Sequence, residues 1–219
     1  MDLKNREEDG TYWRVFGTCH DENCCLERSL AHIFKSAQEA YGINGSREKV
    51  LREAGIQKMV VVIESNQEMQ PEIELLARRK ISLETFQKRA IRKNVGVYSK
   101  GGMLSPSIAK VLGGNGIKLI AADVDGKNAN SMHYGLAWGH FDGYDDQLRE
   151  VARLDLRREE MMYEELKRHK VALLFTGYIH TQESSFFMGK VVQEKVCPNT
   201  FYPDYIQQYN EVKVELKNK

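Results

Sequence analysis

Three of the four cysteines in this 219-residue chain, Cys19, Cys24 and Cys25, lie within seven positions of one another. A polar turn, His20 to Asn23, separates the first of them from a helical pattern that begins at Cys24. A cysteine in the first turn of a helix faces unpaired backbone N–H groups and the positive end of the helix dipole, and both stabilise a thiolate. The stretch therefore indicates a nucleophilic cysteine. A buried cysteine pair at the start of a core helix is the alternative.

The helix that would position this cysteine is marked by a single apolar face. Its members are spaced as one stripe of a helix, Leu26, Leu30, Ile33 and Phe34. The pattern predicts a helix that runs from Cys24 to about Tyr41 and ends at Gly42, because glycine is the residue best suited to the position that follows a helix.

A cysteine nucleophile needs a base, and the base needs a group that orients it. Among the six histidines, His140 follows an apolar stretch and has Asp142 two positions on. In an extended segment these two side chains point to the same side, so the carboxylate can fix the tautomer of the ring. His133 is the competing base, but Gly135 stands at the corresponding position and cannot orient it.

Composition excludes several classes of protein. The chain carries 32 Lys and Arg against 31 Asp and Glu, so its charge gives no reason to expect nucleic acid or an anionic membrane as partner. No apolar run approaches the ~18 residues of a membrane span, and the polar, acidic N-terminus is unlike a signal peptide. Crowded cysteines in a chain of this length are typical of a reducing compartment, so we expect a cytoplasmic protein, in the host cell if the source is a virus.

Turn and cap residues divide the rest of the chain into alternating helices and strands. Helices are predicted over 47–54 after Ser46, from Pro71, over 83–93 after Ser82, over 105–114 and over 147–169. Strands are predicted over Trp13–Phe16, Ile117–Ala122, Met132–Trp138 and Val171–Ile179, with Phe186–Val196 pairing to the last of them. The β-branched run Met59–Ile63 also favours a strand.

Three motifs, in order along the chain, carry a resemblance to a known family. The first is the turn Asp21-Glu22-Asn23-Cys24 with its following CLERSLA; the second runs from Tyr98 to Asp123, YSKGGMLSPSIAKVLGGNGIKLIAAD; the third is MHYGLAWGHFDGY, which contains His140-Phe141-Asp142. In this order and spacing the chain resembles the ovarian-tumour (OTU) family of papain-like cysteine proteases, over roughly residues 13–145.

This resemblance implies an α+β papain-like OTU fold, with a small twisted sheet flanked by helices. It implies a thiol-dependent hydrolase of the deubiquitinase kind, which cuts the bond after the C-terminal glycines of ubiquitin or a ubiquitin-like modifier. Cys24 would attack the carbonyl, His140 would act as base and then as acid, and Asp142 would orient it. Asp21 would complete the catalytic set, three positions before Cys24 as the family turn requires, and the residues at the oxyanion or substrate would be Glu22, Asn23, Gly101 and Gly102. The resemblance also implies a helix over 47–65, against the β-branched run.

The chain departs from the family pattern at several places. Lys100 stands where a tryptophan is usual. The Arg-Ser-Leu run is one residue late relative to Cys24 but in place relative to Cys25, and Cys24 is assigned because Asp21 then lies three positions before it. Glu22 replaces the glycine that is usual in the turn before the cysteine, where backbone N–H groups face the oxyanion. Nothing after residue 146 matches the family. We therefore expect an N-terminal arm over 1–12, a protease core over 13–146, and a helix-plus-strand extension over 147–219 that packs on the core.

Two other functions stay open at this point. One is an OTU-like binding module without activity. The other is a zinc site, with nucleic-acid binding as its consequence, built from Cys19, His20, Cys24 and Cys25, although adjacent pairs cannot easily surround one ion. The preferred hypothesis needs no metal or cofactor, has ubiquitin or a ubiquitin-like protein as partner, and predicts no nucleic acid or membrane. It leaves the oligomeric state open.

The basic runs at 88–93 and 153–158 are interpreted as solvated helix faces, the second interleaved with Glu159 and Glu160.

Overall fold

The computed structural model describes residues 10–18, 22–92, 106–123, 144–196 and 203–218. Within these ranges the strands are β1 (Tyr12–Thr18), β2 (Val60–Asn66), β3 (Lys118–Asp123), β4 (Val171–Gly177) and β5 (Val192–Lys195). The helices are α1 (Glu22–Tyr41), α2 (Arg47–Ile56), α3 (Gln70–Ala77), α4 (Leu83–Arg92), α5 (Pro106–Gly114), α6 (Tyr144–Lys167) and α7 (Pro203–Lys217).

Cap residues fix the ends of several helices where the sequence predicts them. The hydroxyl of Ser46 accepts a hydrogen bond from the backbone N–H of Lys49 at the start of α2. Ser82 does the same for Thr85 at the start of α4. Gly42 follows α1 with a positive φ of 67°, a backbone conformation that glycine adopts without strain. These predicted ends are confirmed.

The five strands form one sheet in the order β3-β2-β4-β1-β5, and all its neighbouring pairs are parallel. The predicted strands near residues 13, 117 and 171 are confirmed as β1, β3 and β4. The strand predicted over Met132–Trp138 lies outside the described residues. The predicted mixture of helices with a small sheet flanked by helices is therefore confirmed, and the papain-like OTU fold in particular stays a prediction.

Two sequence expectations about the strands are wrong. The segment 47–65 is not one helix: α2 ends at Ile56, and Val60 to Asn66 form β2, whose residues are all buried. Here the β-branched run decides the structure, and the resemblance misleads. The second error concerns the strand predicted over Phe186–Val196: only Val192–Lys195 form β5, and this strand pairs with β1 rather than with β4. The connection from β4 to β5 passes over β1, so β5 joins the sheet on the far side of β1. No local sequence pattern indicates such a crossover.

Both faces of the sheet are covered. Helices α1 to α5 pack on one face over a core that includes Phe16, Val61, Leu119 and Leu173. Helix α6 and Phe187 pack on the other face, against Val15, Val62 and Leu174. Helix α7 lies on α6, where Tyr209 is buried against Leu148 and Val151. Parallel sheets are buried on both faces in this way because the crossover helices cover them.

The strands of this one sheet come from both sides of the boundary predicted at residue 146. β1, β2 and β3 precede it, and β4 and β5 follow it. β4 lies between β2 and β1, at the centre of the sheet.

Candidate active site at the carboxyl end of the sheet

The cysteine turn leaves the sheet at the carboxyl end of β1. Strand β1 ends at Thr18, and α1 begins at Glu22 and continues for 20 residues. Glu22, Asn23 and Cys24 are the first three residues of this helix, so all three lie where its first N–H groups have no partner within the helix. The predicted helix over Cys24–Tyr41 is confirmed, and it begins two residues earlier.

The other predicted site residues lie outside the described residues. These are Asp21, Gly101, Gly102, His140 and Asp142, together with the competing base His133. Of the predicted site, the structure thus gives the backbone position of Glu22, Asn23 and Cys24.

A buried ionic network occupies the same edge of the sheet, on the face covered by α6. At its centre is Arg158 of α6, only 2% exposed. Its Nε donates to Asp123 Oδ1 at 2.8 Å and its Nη2 to Asp123 Oδ2 at 2.6 Å, which is a bidentate pair with the last residue of β3. Its Nη1 donates to Asp155 Oδ1 at 2.8 Å, and its Nη2 also reaches Glu64 of β2. One guanidinium therefore holds three carboxylates.

Glu64 connects this arginine to the central strand. Its Oε2 accepts from the hydroxyl of Thr176 and from the backbone N–H of Gly177, each at 2.6 Å. Both donors belong to the carboxyl end of β4. The carboxylate thus bridges the ends of β2 and β4, and each of its oxygens has a partner, as a buried charge requires.

The far side of the network ties the C-terminal helix to the fold. Glu159 of α6 accepts from Lys213 of α7 and from the backbone N–H of Phe186, and its Oε1 lies 2.9 Å from His180 Nδ1. The hydroxyl of Tyr209 donates to Asp155. His180, Lys213 and Glu159 are all buried, so the network joins β2, β3, β4, α6 and α7 through charges out of reach of water.

The network lies where the connections of two neighbouring strands, β2 and β4, leave the sheet in opposite directions. The connection after β2 runs outward to β3 over one face, and the connection after β4 runs the other way to β5. The connections diverge between β2 and β4, and in open parallel sheets a crevice forms at such a point and takes the ligand. In this protein Glu64 and Arg158, both 2% exposed, meet at that point.

No protein-family model, curated protein or solved structure matches the chain.

The network corrects one expectation from the sequence. Arg158 and Glu159 are not on a solvated helix face but are buried, whereas Arg153 and Arg157 of the same basic run are not. A signal for this exists in the sequence. Positions 155, 158 and 159 fall in phase with the buried Leu148, Val151, Met162 and Leu166 of α6. Charges in phase with an apolar stripe indicate a buried network.

Among the described residues no group of three or more His, Cys, Asp or Glu side chains is arranged to hold an ion. The zinc alternative is not tested by this, because Cys19 and His20 lie outside the described residues and only the backbone of Cys24 and Cys25 is described. The carboxylates of the network are occupied by Arg158, Lys213 and His180. In the same ranges no helix has the length and apolar character to span a bilayer.

The protonation of His180 gives a first prediction. Burial alone would lower the pKa of His180, but Glu64, Asp155 and Glu159 around it outweigh burial and raise that pKa to about 10 from 6.5. Because the folded-state pKa exceeds the unfolded one, the stabilisation is complete below pH 6.5 and is lost as the pH rises through 10. The free energy of unfolding should fall between pH 7 and 10, with a slope of at most about 1.4 kcal/mol per pH unit from this group.

Urea denaturation at several pH values tests this. His180→Gln should be less stable at pH 7 and should show a flatter pH dependence over that window. His169→Gln, at the end of α6 where the ring is only part-buried, is the matched control and should keep the wild-type slope. Equal slopes in wild type and His180→Gln would show that His180 is not charged in the folded state.

Proposed function

We propose that this protein is a thiol-dependent hydrolase with Cys24 as its nucleophile. The observation that carries the proposal is the position of Cys24 in the first turn of a 20-residue helix at the carboxyl end of a parallel sheet, with three residues between β1 and the helix. Loops and helix starts at this end of a parallel sheet are where catalytic groups most often lie.

The position suits the chemistry of the proposed step. The N-terminal end of a helix carries about half a positive charge, which favours thiolate over thiol at Cys24. The N–H groups of the same turn are donors for the oxyanion that forms when the thiolate attacks a carbonyl. Nucleophile and oxyanion donors thus come from one short stretch of chain.

The proposed base is His140, oriented by Asp142. Both belong to the segment that follows β3, and β3 ends at the same edge of the sheet as β1 because the strands are parallel. Two strands lie between β1 and β3, so their ends are roughly 15 Å apart at ~4.8 Å per strand. The 17 residues from Asp123 to His140 can span far more than this, at up to ~3.3 Å per residue. Chain length therefore permits His140 to meet Cys24.

The substrate class rests on the three OTU-like motifs. On this basis we propose a papain-like OTU arrangement of the site, acting after the C-terminal glycines of ubiquitin or a ubiquitin-like protein, with no nucleic acid or membrane as partner and the cytoplasm as location. Asp21 would complete the catalytic set, backbone amides of the turn with the Asn23 side chain would hold the oxyanion, Gly101 and Gly102 would border the substrate, and Glu22 would replace the usual glycine.

The decisive experiment is reaction with a ubiquitin whose C-terminus carries a thiol-reactive electrophile. We expect the chain to gain the mass of one ubiquitin, with the adduct on the tryptic peptide that contains Cys24. The same ubiquitin without the electrophile is the control for binding alone. Binding without an adduct would indicate a module without activity, and an adduct on any other cysteine would contradict the assignment.

A chelator arm addresses the zinc alternative. The same labelling is run after dialysis against a chelator, with the metal content measured before and after. We expect labelling to be unchanged and no stoichiometric zinc. One zinc per chain, released together with loss of the folded state, would favour a structural metal site at the cysteines instead.

A further inference from the structure

The described residues form a groove beside the edge strand β5, on the face of the sheet that carries α6 and α7. The groove has a volume of about 970 Å³. Its walls are the segment 181–191 on one side and α7 on the other, and Gln193 and Lys195 of β5 line it between them. None of the residues that line it belongs to the proposed catalytic site.

The groove offers apolar surface to solvent. Met188 is 49% exposed and Val214 is 46% exposed, and Val191 lies beside them in the lining. Exposed apolar side chains gathered in one concave place, with polar residues around them, mark an interaction site more often than isolated ones do.

The charge of the groove is acidic. Glu183, Glu211 and Glu215 line it against one basic side chain, Lys195. Glu215 is paired with Arg149 at 2.8 Å, and the ammonium of Lys195 lies 5.0 Å from the ring of Tyr178. Glu183 and Glu211 are exposed. Although Lys217 donates to the carbonyl of Ser185 nearby, Glu183 and Glu211 thus offer carboxylates to a cationic side chain of a ligand.

The outer edge of β5 also presents backbone hydrogen-bonding groups beside the groove. The N–H of Val196 donates to the carbonyl of Gly17 in β1 at 2.8 Å, so its backbone groups point toward β1. Because these groups alternate along a strand, those of Gln193 and Lys195 point away from β1, toward the side where the described sheet has no further strand. These two residues also line the groove. An extended segment laid along β5 could thus bond to their backbone and place every second side chain in the groove.

We propose that this groove binds an extended peptide segment of a partner protein by strand addition to β5. Every second side chain of the peptide enters the groove, and these side chains are by turns aliphatic, like valine, and cationic, like lysine. Backbone hydrogen bonds to an edge strand supply affinity in such complexes, and pockets for alternate side chains supply specificity. The proposal does not depend on the activity of Cys24.

The probe is a fluorescein-labelled octapeptide, Val-Thr-Lys-Thr-Val-Thr-Lys-Thr, and its control has glutamate in place of lysine. Fluorescence anisotropy with the full chain should show binding of the lysine peptide and markedly weaker binding of the glutamate peptide. Equal binding of the two, or binding of neither, would overturn the proposal. Self-association of the chain that blocks peptide binding would do the same, and sedimentation velocity detects it.

Two matched pairs of variants locate the binding. Glu211→Lys should weaken binding about three- to tenfold, whereas Glu48→Lys, which reverses an exposed charge on α2 outside the groove, should leave it unchanged.

Gln193→Pro removes the outward N–H without removing a bond to β1 and should weaken binding roughly tenfold. Gln193→Ala removes the same side chain, which bonds to Ser185 and Met188, but keeps the N–H, so it is the reference against which the proline variant is measured. Equal binding by the proline and alanine variants would overturn strand addition, and the Glu211 arm decides the matter if the proline variant does not fold.

Discussion

Cys24→Ala should abolish labelling by a ubiquitin-derived electrophilic probe and reduce turnover of a ubiquitin C-terminal fluorogenic substrate by several orders of magnitude. The proposed reaction forms a covalent bond to the sulfur of Cys24, and alanine offers no atom that can replace it. Oxyanion donors and substrate binding alone leave only a small residual acceleration when a nucleophile is removed. The expected loss is therefore larger than that of any other single change in the chain.

Cys25→Ala is the matched control, because both cysteines fall within the first turn of α1. Adjacent residues of a helix point about 100° apart, so only one of the two can face the base. Cys25→Ala should keep most of the labelling and turnover, and both variants should retain the wild-type melting temperature to within a few degrees. An inactive Cys25→Ala beside an active Cys24→Ala would exchange their roles. Full activity in both would remove cysteine catalysis at this turn.

Local signals in the sequence predict most of the helices because their causes are local. A serine hydroxyl at position 46 or 82 satisfies an N–H three residues later in the same segment. Gly42 ends α1 because of its own backbone freedom. Neither effect depends on what the rest of the chain does, so each can be read from a window of a few residues.

The error over 47–65 has the opposite cause. Its first half is helical and its second half is the buried strand β2, which lies between β3 and β4. Val60 to Ile63 are β-branched, and this local preference agrees with a strand buried on both faces. The OTU-like motifs lie outside this segment, so they carry no information on its conformation, and propensity was the better guide.

One part of the candidate site can be predicted from local sequence and another part cannot. A cysteine at the start of a helix can be predicted from the sequence, because the turn before it and the apolar stripe after it belong to one contiguous segment. The ionic network cannot be predicted in this way, because Glu64, Asp123, Arg158 and Lys213 come from four separate elements and meet only when the sheet has formed. The phase of Arg158 within the stripe of α6 shows that it is buried, but its three acidic partners cannot be chosen from the 31 acidic residues of the chain without the topology.

Arg158→Ala should lower the free energy of unfolding by about 3–5 kcal/mol, the range expected when one partner of a buried ion pair is removed. Arg158 is 2% exposed and binds three buried carboxylates. Arg157→Ala is the control: its side chain lies one position earlier in α6 and is exposed, so the change should stay within about 0.5 kcal/mol. Arg158→Lys should also be destabilising, because an ammonium cannot reproduce the bidentate contact with Asp123. Urea denaturation at pH 7 measures all three.

The pH dependence separates lost charge from lost packing in this variant. Without the guanidinium, Glu64, Asp123 and Asp155 lose the cation that they share, although His180 stays close to Glu64 and Asp155. Burial makes carboxylates with less positive charge beside them take up protons more readily when folded than when unfolded. A group with a raised folded-state pKa stabilises the fold as the pH falls, so the difference between Arg158→Ala and wild type should narrow from pH 7 to pH 5. A cavity left by the missing side chain would cost the same at both values. A constant difference would therefore mean that Arg158 acts by filling space, and a narrowing one that it neutralises the acids gathered at the ends of β2 and β3.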